Sequence, residues 1–373
     1  DGLQIGSFFA TMGIASLFMP AVMGIIADRW IPAQRLLGLC HLFAAGFITL
    51  AATRTDYNSL YTLVLLSVMF YMPTIALSNS VAYNALEKAG LDTVTHFPPI
   101  RVWGTVGFIC AMWVVDLGKM GLSATQLYFS ATLGLILGLY SFTLPNCPIN
   151  RSGGGKSIVD LLGLRAFALF KQRKMAIFFI FSMLLGMSLQ ITNAFADGYI
   201  KSFGDTGIHG AKYLGTFGVE HSTILISLSQ ISETLCILLI PFFLKRFGIK
   251  RVMLIAMFAW VLRFALLGAG NPGPGVWMFI LSMIVYGVAF DFFNISGSLF
   301  VEKETSAAIR SSAQGVFMIM TNGLGALIGS YLAGWVVNHY GWPLSWYLFA
   351  GFSLVVAIVF AVIFKYKHDP NRI

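Results

Sequence analysis

Eleven apolar runs follow one another along this chain, near residues 4–26, 33–53, 59–80, 100–118, 124–144, 175–196, 221–244, 250–268, 275–297, 306–336 and 343–366. A helix needs roughly 20 such residues to cross a bilayer core. In lipid every backbone N–H and C=O must bond within the protein, so a spanning element is a helix or a strand of a closed barrel. Barrel strands read as short segments of alternating polarity, and these runs are long and continuously apolar. The chain is therefore expected to be an all-α polytopic membrane protein, with the lipid bilayer as its surroundings. Composition agrees: 57% of its 373 residues are hydrophobic, 10% are charged, and mean hydropathy is +0.80.

In such a chain a net charge of +9 says little about nucleic acid, and no nucleic-acid partner is expected. Lys and Arg instead report topology, because they accumulate in cytoplasmic loops. With the 27–33 turn set as cytoplasmic and the helices alternating, nineteen of the 24 basic residues fall inside. Arg54, Lys119, Lys201 and Lys212 fall outside, and Arg263 lies within a span. This places the terminal "KYKHDPNRI" in the cytoplasm. Cys40, Cys110 and Cys236 lie in apolar spans and Cys147 in a loop, with no metal-type spacing, so neither a metal site nor a disulfide framework is expected. The first run has no charged leader and no cleavage site, unlike a signal peptide.

The longest polar connection, 145–174, separates five runs from six and reads as a linker with a short amphipathic helix. Its "GGGKS" lacks the upstream Gly of a phosphate loop, since Asn150 stands there, and no strand precedes it. The halves also repeat. Residues 65–89 align without gaps on 280–304, matching Ser67, Tyr71, Asn79, Glu87 and Lys88 with Ser282, Tyr286, Asn294, Glu302 and Lys303. "PPIR" ending at Arg101 likewise matches "AAIR" ending at Arg310. Internal repeats of this kind mark transporters. The turn "GIIADRW" follows the first helix of one half, and its counterpart "PFFLKRF" follows the second helix of the other. The first half is thus expected to lack one helix upstream of Asp1. The expected units are an N-terminal half over 1–144, a cytoplasmic linker over 145–174, and a six-helix half over 175–373.

Polar groups recur at helical spacing inside four spans: Arg101, Thr105 and Phe108; Gln190 and Asn193; Gln230 and Glu233; Tyr286 and Phe290, with Asp291 beside them and Asn294 three further on. Lipid penalises such faces, by about 2.5–3.5 kcal/mol for a charge at mid-span on insertion scales, so they are expected to line a cavity between the halves. Plainer readings stand beside this one. Gln190 and Asn193 suit interhelical hydrogen bonds, Tyr286 and Phe290 suit packing, and Arg101 after Pro98 and Pro99 suits a helix start. Arg263 fits a structural role, and Ala326, Ser330 and Gly334 fit close helix packing. Glu233 and Asp291 are the hardest to explain as structure alone. No HExxH, GxSxG or similar set occurs, so no enzymatic activity is expected.

The turn with Gly24, Asp28 and Arg29, between two six-helix halves, resembles that of the major facilitator superfamily. "FPPIRVWGTVGFI", "AIFFIFSMLLGMSLQITN", "SQISETL", "SMIVYGVAFDFFNISGS" and "VEKETSAAIRSSAQG" are similar to bacterial nucleoside permeases of the nucleoside:proton symporter family. The resemblance implies proton-coupled nucleoside uptake across the bacterial inner membrane by alternating access, without a cofactor. It implies nucleoside-lining roles for Arg101, Thr105, Phe108, Gln190, Asn193, Gln230, Glu233, Tyr286, Phe290 and Asp291. The chemistry is compatible: aromatic rings offer a stacking surface for a base, amides match a base edge, and Gln230, Glu233 and Arg101 suit ribose hydroxyls. Asp291 is the first choice for the coupled proton and Glu233 the second. The alternatives are a proton-coupled sugar permease on the same fold, a non-transporting receptor and, more distantly, a membrane hydrolase. The architecture needs no partner chain, so a monomer is expected.

Overall fold

A computed structural model describes residues 1–91, 93–149, 164–209, 211–305 and 310–366. The first half contains α1 (Gly2–Arg29), α2 (Ala33–Ala51), α3 (Tyr57–Lys88), α4 (Thr93–Leu117) and α5 (Thr125–Ser141). Asp1 caps α1 by accepting from Gln4 N at 2.8 Å, and Asp56 caps α3 by accepting from Ser59 N at 2.8 Å. The hydrogen bonds from Ser59 hold the exposed Asp56 carboxyl below its ordinary range. A 3₁₀ turn at Leu164–Lys171 precedes the second half, which holds α6 (Arg173–Ser202), α7 (Ser222–Ala269), α8 (Val276–Glu304), α9 (Arg310–Met318), a π-helical turn (Ile319–Gly325), α10 (Ala326–Tyr340) and α11 (Leu344–Ile363). Short helices Thr206–His209 and Phe217–Glu220 lie between α6 and α7.

At 1.5 Å per residue a straight α7 of 48 residues would reach about 70 Å, roughly twice a bilayer core. It does not run straight. Gly248 adopts φ 75° and ψ 166°, a conformation open to glycine and strained for other residues, and this folds α7 into two arms. Lys245, Arg246, Lys250 and Arg251 flank the break. Eight helices are long and apolar enough to cross a membrane. Splitting α7 makes nine, and α4, whose apolar stretch is the shorter Val102–Leu117, and the 17-residue α5 bring the total among the described residues to the expected eleven. The composite of α9, the π turn and α10 is one of these spans.

Three boundaries differ from the sequence reading. Helix α6 continues through Asp197 and Lys201, an i,i+4 ion pair at 2.6 Å, so the span expected over 175–196 runs on to Ser202. The span expected over 306–336 is α-helical only in part, because the π turn interrupts it. The amphipathic helix of the linker is seen only as the 3₁₀ turn, while "GGGKS", all of "AAIR" before Arg310 and residues 367–373 lie outside the described residues.

Gly2 N donates to Asn338 Oδ1 at 2.7 Å, so the start of α1 lies at the end of the bundle where α10 finishes and α11 begins. Phe364, past the far end of α11, lies at the opposite end. The second half has an aromatic core that includes Phe178, Phe179, Trp260, Phe264, Phe292 and Trp346. The composite span packs against its own half through α6 and against the other half through α1. A Cβ on Gly186 would fall inside van der Waals contact of the Thr321 carbonyl, and one on Gly329 would lie 2.6 Å from Met187 Cα. Gly186→Ala is therefore expected to overpack this crossing and cost about 1–3 kcal/mol. Gly46→Ala, with nothing within 4 Å, is the matched control; thermal melting followed by size-exclusion chromatography compares the two, and equal melting would refute the packing argument.

Candidate substrate site

The site is assembled from a close approach of two backbones. The first arm of α7 lies so near α8 that a Cβ on Gly287 would come 2.6 Å from the Ser232 carbonyl oxygen. Ser232 Oγ donates to the Ile284 carbonyl, and Ser229 Oγ meets Met283 Sδ at 3.1 Å. Glu233 follows Ser232 and Tyr286 precedes Gly287, so this contact brings the acid beside the phenol. Glu233 lies within Coulombic range of both Tyr286 and Asp291.

On α8, Tyr286 and Phe290 stack with centroids 5.7 Å apart and an interplanar angle of 14°. Trp260, from the second arm of α7, meets Tyr286 edge-on at 6.0 Å. Gln190 and Asp291 are 7% and 4% exposed, and Gln190 Oε1 and Asp291 Oδ2 are buried without a hydrogen-bond partner. Buried polar atoms are almost always paired; Ser296 Oγ, Ser330 Oγ and Trp346 Nε1 are also buried without a partner, but Gln190 and Asp291 are the two that belong to the polar faces read from the sequence. Gln230 and Glu233 are half-buried, whereas Asn193 is exposed.

The first half contributes through α4. Trp113 Nε1 donates to Ser227 Oγ at 2.8 Å, which fixes the depth of α4 against the first arm of α7. Phe108 lies five residues from Trp113, and Glu233 lies six from Ser227 along the antiparallel neighbour. By helix rise the two are at similar depth, about 7.5 and 9 Å from that bond. Phe108 is exposed and Thr105 half-buried. Depth, rather than a direct contact, links these two to the second half. Arg101 lies on α4, and its side chain is outside the described residues.

One feature here was not anticipated. Thr321 and Asn322, on the π turn, line a cavity of about 20 Å³ with Leu189, Trp260, Phe290 and Asn294; π turns recur at functional sites. Arg263, whose structural role was anticipated, also has a specific address. Its guanidinium lies 4.7 Å from the Tyr286 ring centroid and donates to the Ser282 carbonyl at 2.6 Å.

Toward the end of the bundle that holds residue 1, the halves are tied together. His221 Nδ1 pairs with Asp116 Oδ2 at 2.6 Å, and a Cβ on Gly6 would fall inside contact of the Ser330 carbonyl. Ser330 and Gly334, read above as a packing stripe, thus meet α1 of the other half. Each hydrogen bond named here between the halves lies at or above the Trp113–Ser227 level, toward this end.

The arrangement combines two neighbouring acids, stacked aromatics, side-chain amides and one-sided closure. The family described as nucleoside H+ symporter matches residues 1–369. The nucleoside permease NupG of Escherichia coli K12 is 51% identical over 99% of this chain and 89% of its own length. Its crystal structure superposes with a TM-score of 0.90, covering 98% of this chain and 91% of that one. The xanthosine permease of the same organism is 49% identical over 100% of this chain and 90% of its own length.

Proposed function

Because the chain belongs to the nucleoside H+ symporter family of the major facilitator superfamily and takes up nucleosides together with protons, we propose the division of labour among its site residues. Arg101, Thr105, Phe108, Gln190, Asn193, Gln230, Tyr286 and Phe290 bind the nucleoside. Glu233 grips ribose hydroxyls beside Gln230, and Asp291 carries the proton. The observation that carries this reading is that Gln190 Oε1 and Asp291 Oδ2 are buried acceptors without partners, Asp291 directly following the Tyr286–Phe290 stack in sequence. A base N–H satisfies Gln190 Oε1, and a proton turns Asp291 Oδ2 into a donor.

The loop charges assign the tied end of the bundle to the periplasm and the C-terminus to the cytoplasm of the bacterial inner membrane. The conformation is then inward-facing, and transport proceeds by rocking of the halves about the site. The transporter acts as a monomer.

Gln230→Ala removes a hydrogen-bonding group one turn from Glu233 and is expected to weaken nucleoside binding by about 1–3 kcal/mol. Calorimetric titration of the folded variant with uridine checks this. An unchanged Kd would remove Gln230 from the site.

A further inference from the structure

Among the described residues, Arg263 is a basic side chain buried outright, at 1% exposure. Withdrawing a guanidinium from water is costly, and a buried charge persists where geometry answers it. Arg263 Nη1 donates to the Ser282 carbonyl at 2.6 Å and approaches Met283 Sδ at 3.7 Å. Its Nε reaches Thr192 Oγ1 at 3.4 Å, and the cation faces the Tyr286 ring at 4.7 Å. Ser282 Oγ returns a bond to the Arg263 carbonyl at 3.2 Å. These partners are neutral, and they lie on two other helices.

The partners are placed where the binding groups are. Thr192 on α6 sits between Gln190 and Asn193. Ser282 on α8 is one turn before Tyr286, which stacks on Phe290. A guanidinium is planar, with donors fixed in a fork, and can bond sideways while presenting its face to a ring. A lysine ammonium is a point charge without that shape.

We propose that Arg263 is a positioning residue of the nucleoside site. It fixes the plane of Tyr286 and, through the stack, that of Phe290. Its bond to Thr192 sets the rotation of α6 under Gln190 and Asn193. Nucleoside contacts Tyr286 and Phe290, and Arg263 acts through them without touching it. The inference rests on the reading that this stack faces the substrate.

A double-mutant cycle separates positioning from a general role in folding. Uridine affinity is measured on the purified full chain for wild type, Arg263→Met, Tyr286→Leu and the double variant, with melting temperatures recorded alongside. Arg263→Met is expected to raise Kd about tenfold, and the double variant is expected to bind no worse than the weaker single one. Arg263→Lys is expected to melt near wild type yet not recover affinity. Wild-type affinity in Arg263→Met, or losses that multiply in the double variant, would overturn the proposal. If Arg263→Met does not fold, the same cycle is run with Arg263→Lys. Gln230→Ala and Glu233→Gln are titrated in parallel. If both keep wild-type affinity, the site assignment itself fails; if both weaken binding while the cycle is additive, only the role of Arg263 falls.

Discussion

Asp291→Asn is expected to leave a transporter that binds and exchanges nucleoside but no longer concentrates it. Asn matches Asp in shape and keeps an acceptor and a donor at the buried position, so the packing of α8 persists. It has no proton to release, however, and an imposed pH gradient then has no handle on the cycle. In proteoliposomes with an acidic exterior, wild type is expected to accumulate labelled uridine above the outside concentration. Asp291→Asn is expected to bring the two concentrations level and stop there, while exchange of labelled for unlabelled uridine continues. Glu233→Gln, one helical turn from Gln230, is expected to weaken binding itself. Uphill accumulation by Asp291→Asn sinks the assignment. Loss of coupling with intact affinity in Glu233→Gln would exchange the two roles.

The second large effect concerns closure rather than chemistry. Gly6→Leu is expected to slow both net uptake and exchange strongly while sparing binding from the periplasmic side. Even one methyl at Gly6 collides with the Ser330 carbonyl, and nearby a Cβ on Gly13 would lie 2.6 Å from Leu327 N. Overpacking of this kind costs about 1–3 kcal/mol, and the cost falls only on the state in which α1 and α10 touch. A bias of that size shifts the two-state ratio about 5- to 150-fold away from the inward-facing form. A cysteine placed at Asn338 should then react faster with a membrane-impermeant maleimide from outside. Wild-type exchange in well-folded Gly6→Leu would show that this contact does not gate the pathway.

These two predictions draw on what could and could not be read from the chain. The spans were legible because lipid enforces their length, and the two arms of α7 because Lys245, Arg246, Lys250 and Arg251 separate two apolar runs. The stripe of Ala326, Ser330 and Gly334 announced close packing, yet nothing local says that its partner is α1, more than 300 residues away. Helix spacing placed Gln230 with Glu233 and Tyr286 with Phe290. It could not reveal that Ser232 and Gly287 bring those faces together, because that contact is made by backbone. Arg263 bonds a carbonyl, a hydroxyl and a ring, so a search for opposite charges passes over its partners. The extension of α6 was missed because Asp197 and Lys201 look like loop residues until they are seen to pair. The π turn was missed because continuous apolarity hides a change of helical pitch.

That turn makes the helical pitch of its span a fixed quantity. A π turn carries one residue more than the α turn it replaces, and each residue of an α-helix advances the face by about 100°. Straightening Ile319–Gly325 to α pitch with every residue kept would swing Arg310–Met318 by at least about that angle relative to Ala326–Tyr340. Thr321 could then no longer sit against Gly186 while Ser330 sits against Gly6. A loop would absorb such a change locally, but this stretch would transmit it to both halves of the protein as a rotation.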